Sequence, residues 1–419
     1  MFVANILASI DLRILRGSFA CSQNINFSLR SESTLLISPI ILFSILLSDQ
    51  HMRLVFIVLS QFFSGSIWFA GNVAYANQEF LLSAVQFGFI FGTLFFAFFN
   101  ISDRFSPVKV FFICSLLGAL FNYSGIFLGE HKWLLLISRM FCGVTLAGIY
   151  PVGMKIAASW YPETIGKALG WLVGALVLAT GLPYLIKFID WQGDAQIILQ
   201  GTSILCLLGG ITQLLLVGDG PQLPKGSKFN IGVIKEIFRH RGFRAAAFGY
   251  FGHMWELYAV WAFIPLLFYT LVPEQVEIWS FAFFVAGFLG CTFGGICSLK
   301  VGSRLVALWA LFGSGLFCLI SPFLQLLPTG IALLLMMAWG VTIVTDSPQF
   351  SSLNTKFAPR AYVGSALTIV NCIGFLITIV TIEFLSFWIE HFGIRFAFLP
   401  LALGPLFGWL SLKKKSDIK

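Results

Sequence analysis

His253 and Glu256 close the run Gly252-His-Met-Trp-Glu256, and Tyr250 stands three residues before His253. On a helix this spacing puts all three on one face. Imidazole and carboxylate both take up and release protons, so such a pair in apolar surroundings suits coupling of a proton to another event. The alternative is a structural His–Glu pair turned toward a neighbouring helix. Arg139 and Asp346 also fall inside apolar runs. Arg139 could grip an anion or an acidic partner, or bond backbone carbonyls between helices. Asp346 precedes Ser347-Pro348-Gln349 and could belong to a gate or pathway, or reach the membrane interface. Asn371 falls near the middle of its run, and Trp68, Asn72, Tyr150, Trp255, Tyr258 and Gln349 could line a cavity or simply pack.

These residues need elements that hold them in apolar surroundings, and the chain consists largely of such elements. Fifty-eight per cent of the 419 residues are hydrophobic, 11% are charged and the mean hydropathy is +0.90. A soluble domain carries about 25% charged residues, so soluble enzymes and nucleic-acid-binding modules are excluded. Seven of the eight cysteines lie in apolar runs and none forms a CxxC pair, so they read as small hydrophobes. There is no phosphate-binding loop, metal-ligand cluster or nucleophile–base arrangement, so neither an enzyme nor a resident cofactor is expected.

A helix needs about 20 apolar residues to cross the hydrocarbon core. Such runs fall near 54–75, 80–99, 110–128, 133–157, 166–186, 195–217, 245–271, 278–299, 305–327, 329–350, 361–387 and 394–412. That predicts an all-α membrane protein of twelve helices. The one long connection, 218–244, divides them into halves of nearly equal length, 52–217 and 245–412. Parallel spellings point to a duplication. Gly65 and Trp68 match Gly252 and Trp255. Pro151 and Pro162 match Pro348 and Pro359. Gly166-Lys-Ala-Leu169 matches Gly364-Ser-Ala-Leu367.

The net charge of +8 is a topology signal. Of the 26 Lys and Arg, only Lys132, Lys187 and Arg395 fall on one side of the membrane and Arg139 within a span. The positive-inside rule then puts both termini, the 218–244 connection and the basic tail 413–419 in the cytoplasm. In the connection, Ile231, Ile234, Ile237 and Phe238 recur at helical spacing among charges, which predicts a short amphipathic helix on the membrane surface. Gly166, Gly170 and Gly174 are spaced for close helix packing. Residues 1–51 read as an extension, with a short apolar run at 34–48, and Met52 as the expected start; a thirteenth hydrophobic segment is the alternative.

Four stretches carry a family resemblance. Asn100-Ile-Ser-Asp103-Arg104-Phe-Ser106-Pro-Val-Lys109 resembles the Asp-Arg-x-Gly-Arg-Arg loop signature of the major facilitator superfamily. Ser106 replaces its glycine, and Lys109 alone remains of the basic pair. Arg139-Met-Phe-Cys-Gly143-Val-Thr-Leu-Ala147 resembles the R-x-x-x-G-x-x-x-A pattern of proton-linked members. Ala147-Gly-Ile-Tyr-Pro-Val-Gly-Met-Lys155 and Gly252-His-Met-Trp-Glu256 are similar to a bacterial subgroup. The Gly-Pro hallmark of drug antiporters is not matched by Gly174-Ala-Leu-Val-Leu-Ala-Thr-Gly181-Leu-Pro183.

The resemblance implies two six-helix pseudo-repeats working as a secondary active transporter of a small solute by alternating access. The proton is the expected coupling ion, with His253 and Glu256 as its carriers. The alternatives are an exporter of amphipathic compounds and, from another class, a non-transporting receptor or scaffold. The expected partners are a small-molecule substrate and the lipid bilayer, with no nucleic acid; a functional monomer is expected, its oligomeric state left open. The expected location is the cell membrane, the inner one in a Gram-negative cell.

Reporter fusions after Lys419 and within 220–230 should both behave as cytosolic. Either one reporting from the far side of the membrane reverses the orientation.

Overall fold

The computed structural model describes residues 50–190, 194–222, 229–359 and 362–413. The 34–48 run, Lys225, Lys228, Arg360 and the tail beyond Lys413 lie outside the described residues. A bilayer core offers no water to backbone amides, so a crossing segment must satisfy them internally. The described residues do so as twelve apolar helices. These are α1 Met52–Ala74, α2 Leu81–Phe99, α3 Pro107–Leu128, α4 Lys132–Trp160, α5 Gly166–Ile189 and α6 Ala195–Val217, followed by α7 Arg241–Leu271, α8 Pro273–Val301, α9 Ser303–Leu324, α10 Thr329–Phe357, α11 Val363–Phe392 and α12 Ile394–Lys413. Several run past the apolar windows that reveal them. α10 continues through Lys356 and α11 through Glu390, because hydrogen bonding rather than hydropathy decides where a helix stops.

Three spans each divide into two α-helical pieces, and α12 opens as 3-10 turns, Ile394–Phe396 and Leu399–Ala402, before its α-helix Leu403–Lys413. α1 divides at Ser66 into Gln50–Gly65 and Ile67–Ala74. α4 divides at Gly148 and Ile149, and α10 at Asp346. Pro151 and Pro348 lie just beyond the last two breaks, and proline has no N–H to return to the carbonyl four residues back. In α10 that carbonyl belongs to Val344, and the Cys291 thiol of α8 donates to it at 3.3 Å. The matching prolines in the sequence thus mark matching bends.

All described residues belong to one compact unit, Leu47–Lys419, and the helix contacts repeat within it. α1 packs on α5 and α6, α2 on α4, and α3 on α4 and α6; α7 packs on α11 and α12, α8 on α10, and α9 on α10 and α12. Two seams join the halves, α5 with α8 and α2 with α11. Exchanging the halves converts one seam into the other.

The connections are held locally. Ser106 caps α3 by accepting the Lys109 amide at 3.3 Å, with Pro107 at the first helical position. Lys155 pairs with Asp103 and donates to the Ser102 carbonyl at 2.6 Å, while Arg104 and Lys109 stay exposed. The expected amphipathic helix is one 3-10 turn, Ile231–Val233, and one α turn, Ile234–Ile237. Val233 and Ile237 turn to the protein, whereas Ile231 and Ile234 stay open. The Asn230 amide donates to Ser365 of α11 at 3.0 Å.

Between α2 and α4 two glycines bring the backbones together, the way helices pack where no water drives them. A Cβ on Gly88 would enter the Met140 carbonyl, and one on Gly143 the Val85 carbonyl. Of the glycines spaced for packing in α5, Gly170 faces Gly295 of α8 and Gly174 lies against Phe288, but Gly166 has nothing within 4 Å.

Gly143→Val should cost about 1–3 kcal/mol through overpacking, read as a lower melting temperature in detergent. Gly330, with nothing within 4 Å of its Cβ position, should tolerate alanine unchanged. Equal behaviour of the two variants would contradict the close α2–α4 contact.

Candidate functional site

A cavity of about 730 Å³ opens between the halves at the end opposite Asp103 and Lys155. α1 contributes Phe69 and Asn72, α2 Ser83, α5 Tyr184 and Lys187, α8 Glu277, and α11 Glu383 and Glu390. Below it the halves close through aromatic rings. Trp68 lies 5.9 Å from Tyr258 and 5.8 Å from Phe375 between ring centres. Phe69 meets Trp261 and Phe284 at 6.3 Å, and Phe89 meets Phe375 at 4.5 Å. Trp68, Phe69 and Phe284 are fully buried. Polar bridges also cross the seams. Lys187 pairs with Glu277 at 3.2 Å, Ser83 donates to Glu383, and Thr378 bonds Gln86.

The titratable residues of α7 do not reach this cavity. His253, Glu256 and Asp346 are each 1% exposed and lie among α7, α9 and α10. His253 and Glu256 do not pair with each other, which corrects one expectation. His253 Nδ1 lies 2.9 Å from Asp346 Oδ1, and its Nε2 has no hydrogen-bond partner. Glu256 accepts from Ser314 at 3.0 Å, Cys318 at 3.2 Å and the Trp339 indole at 3.3 Å. Among the described residues it makes no ion pair. Asp346 occupies the break of α10 and is buried inside the protein. Tyr250 stays beside His253, their ring centres 6.1 Å apart with Phe350 against both, and also packs on Gly374 of α11.

Arg139 is buried in the first half. Nη1 donates to Asn122 at 2.6 Å and Nη2 to the Ile67 carbonyl, beside the α1 break, at 2.6 Å. Asn122 in turn donates to Leu199, Thr202 and Ser203 of α6 at 2.9–3.0 Å. Arg139 meets no carboxylate among the described residues; its guanidinium bonds helix to helix, and Nε has no hydrogen-bond partner. Gly71 makes room for its side chain: a Cβ there would lie 2.7 Å from Nε.

The polar and aromatic candidates separate in the same way. Asn72 lines the cavity and Trp68 belongs to the rings beneath it. Gln349 is buried, Tyr150 and Asn371 are half-buried, and none of the three borders the cavity. Trp255 faces an apolar groove between α7, α11 and α12, its indole 3.4 Å from the Pro400 carbonyl. Sequence reasoning passed over Glu383, Glu277 and Lys187. Glu383 was findable, as a single carboxylate within the run Ile377–Trp388; Glu277 and Lys187 look like ordinary charges at span ends.

Two repeated six-helix sets enclosing one cavity at their seam make a multi-pass membrane transporter. The chain belongs to the Major Facilitator Superfamily, whose family model matches residues 42–382. A Haemophilus influenzae protein described as "Putative metabolite transport protein" is 35% identical over 120 residues, 27% of this chain and 27% of that relative's length. The E. coli fucose:proton symporter FucP superposes with a TM-score of 0.63 at 14% identity, over 90% of this chain and 99% of FucP. The proton:xylose symporter XylE bound to 6-bromo-6-deoxy-D-glucose superposes with a TM-score of 0.65 at 16% identity, over 87% of this chain and 95% of XylE. At these identities the likeness is one of fold.

Removing one partner of a buried polar pair leaves the other unsatisfied, at about 1–3 kcal/mol and more where the group is charged. Asp346→Ala should therefore lower thermal stability sharply, and His253→Ala should add less in the Asp346→Ala background than alone. Strict additivity in this double-mutant cycle would show that the pair does not interact.

Proposed function

We propose that the chain is a secondary active transporter that moves a small solute by alternating access, driven by the proton gradient. The observation that carries this reading is the seam itself. A cavity of about 730 Å³ enters between the halves from one end, and cross-half aromatic rings close it before it reaches the other. With the positive-inside orientation, the cavity faces outward and both termini lie in the cytoplasm of a cell membrane. The protein then works as a monomer, since each half supplies the other's wall.

To turn inward, the halves must part where α5 meets α8 and α2 meets α11 at the cytoplasmic end, and close over the cavity at the other. The contacts on each side suit that exchange. Ser83–Glu383 and Lys187–Glu277 sit at the outer end, and Asn230–Ser365 and the Gly170–Gly295 approach at the inner end. The two solved symporters named above are proton-linked, which supports the same driving force here.

The proton has two candidate positions, both within the second half. Asp346 holds His253 at the break of α10, so a change in its charge acts where that helix bends. Glu256 is a buried carboxyl on neutral donors that bridges α7 to α9 and α10. Gaining or losing a proton at either changes how these helices grip one another. That is what coupling requires: a ligand with different affinity for two arrangements.

Glu256→Gln and Asp346→Asn keep size and remove titration. In proteoliposomes screened with small metabolites, the variant that removes the proton site should keep solute counterflow and lose accumulation driven by a pH gradient. Normal accumulation in both variants would exclude the α7–α10 cluster as the coupling site.

A further inference from the structure

We propose that the seam cavity takes a small organic cation, an amine or quaternary ammonium, and that Glu383 holds its charged group. The proposal rests on the transporter reading and names the substrate class of that cavity.

The charges lining the cavity are unequal. Glu79, Glu277, Glu383 and Glu390 face it against one base, Lys187. Lys187 is engaged with Glu277 at 3.2 Å, and Glu79 with Lys132 at 3.7 Å. Among the described residues, Glu383 and Glu390 make no ion pair. Glu390 lies near the end of α11, but Glu383 is half-buried within the apolar part of that span. The Ser83 hydroxyl of α2 bonds it without neutralising it. A carboxylate kept inside a membrane span without a countercharge marks a functional position. Low-dielectric walls around a cleft lined by one sign concentrate its field, so the cavity draws cations and repels anions.

The remaining walls suit the same ligand. Phe69, Phe80, Tyr184, Phe263, Tyr269 and Phe387 also line the cavity, and aromatic faces attract cations within about 6 Å of the ring centre. The protein's own ammonium shows this chemistry at the rim. Lys132 Nζ lies 5.7 Å from the centre of the Phe80 ring and 3.7 Å from Glu79, so a carboxylate and a ring of the cavity already share one cation. Glu383 offers the same kind of carboxylate within the span, and among the described residues no lysine pairs with it. A cavity of about 730 Å³ is in the range of small-molecule sites. A cation drawn to Glu383 would compete with the Ser83 hydroxyl, and Ser83 is where α2 meets α11. Occupancy would thus register at a seam that must move.

The test uses the purified full chain and organic cations of graded size, namely choline, tetraethylammonium, putrescine and tetraphenylphosphonium. The uncharged isostere 3,3-dimethyl-1-butanol serves against choline, and glucose and lactate represent neutral and anionic solutes. At least one cation should raise the melting temperature in a saturable way, with no matching shift from the neutral and anionic probes. Glu383→Gln, which can still accept from Ser83, should weaken the apparent affinity at least tenfold, and Glu383→Asp should retain part of it. No shift with any cation, equal shifts with the uncharged probes, or full affinity in Glu383→Gln would overturn the proposal. Counterflow of the same probes in proteoliposomes separates the two claims. Cation binding without flux keeps this site and removes the transporter reading; flux of glucose or lactate alone does the reverse.

Discussion

The contact between the halves is the constraint on which the rest of the structure depends. In a bilayer, apolar side chains gain nothing by leaving lipid for protein, so helices are held by close packing and polar bridges. The seams use both. Gly170 faces Gly295, Trp68 and Phe69 interlock with Tyr258, Phe375, Trp261 and Phe284, and short polar bridges join α2 to α11 and α5 to α8. The interlocking rings also separate the cavity of about 730 Å³ on one side from a smaller one of about 170 Å³, between α2, α4 and α11, on the other. A seam of this kind is strong enough to define one arrangement. Among the described residues it buries no large charged network, so little opposes a second arrangement with the opposite end open.

Buried charge and broken helix occur together in both halves. Arg139 donates to a carbonyl beside the break of α1, and Asp346 stands at the break of α10 with His253 against it. A helix break frees backbone groups that water cannot reach, and proline adds to them in α4 and α10. Side chains from neighbouring helices then supply what the backbone lacks. This joins the position of a charge to the angle of a bend, which gives a proton or a solute mechanical access to the helix. Glu256 differs: its donors are a hydroxyl, a thiol and an indole, and its span is unbroken.

Much of the fold was legible in the sequence. Span number and order follow from local composition, because each helix meets the bilayer separately and needs the same apolar length. The matched prolines at 151 and 348 gave the matched bends, since a missing N–H acts within its own turn. Arg139, His253, Glu256 and Asp346 were recognisable as buried because a charge inside an apolar run has few other places to go. The loop pair of Asp103 with Lys155 was half visible, as a motif residue and a lysine at a span end.

Partnership was decided only in three dimensions. Helical spacing set His253 beside Glu256, yet His253 turns to Asp346, about ninety residues away in the chain. Tyr150, Gln349 and Asn371 looked as suitable for a cavity as Asn72 did, and the rotation of each helix about its axis selected Asn72. Glu383 stood out as a lone carboxylate in an apolar run, but Lys187 and Glu277 carried no such signal, because a cavity belongs to the gap between helices from both halves. The sequence by itself determined what each span is made of and in what order the spans follow, since those depend on local composition alone. Which faces meet depends on all twelve helices packing together, and that only the tertiary structure decided.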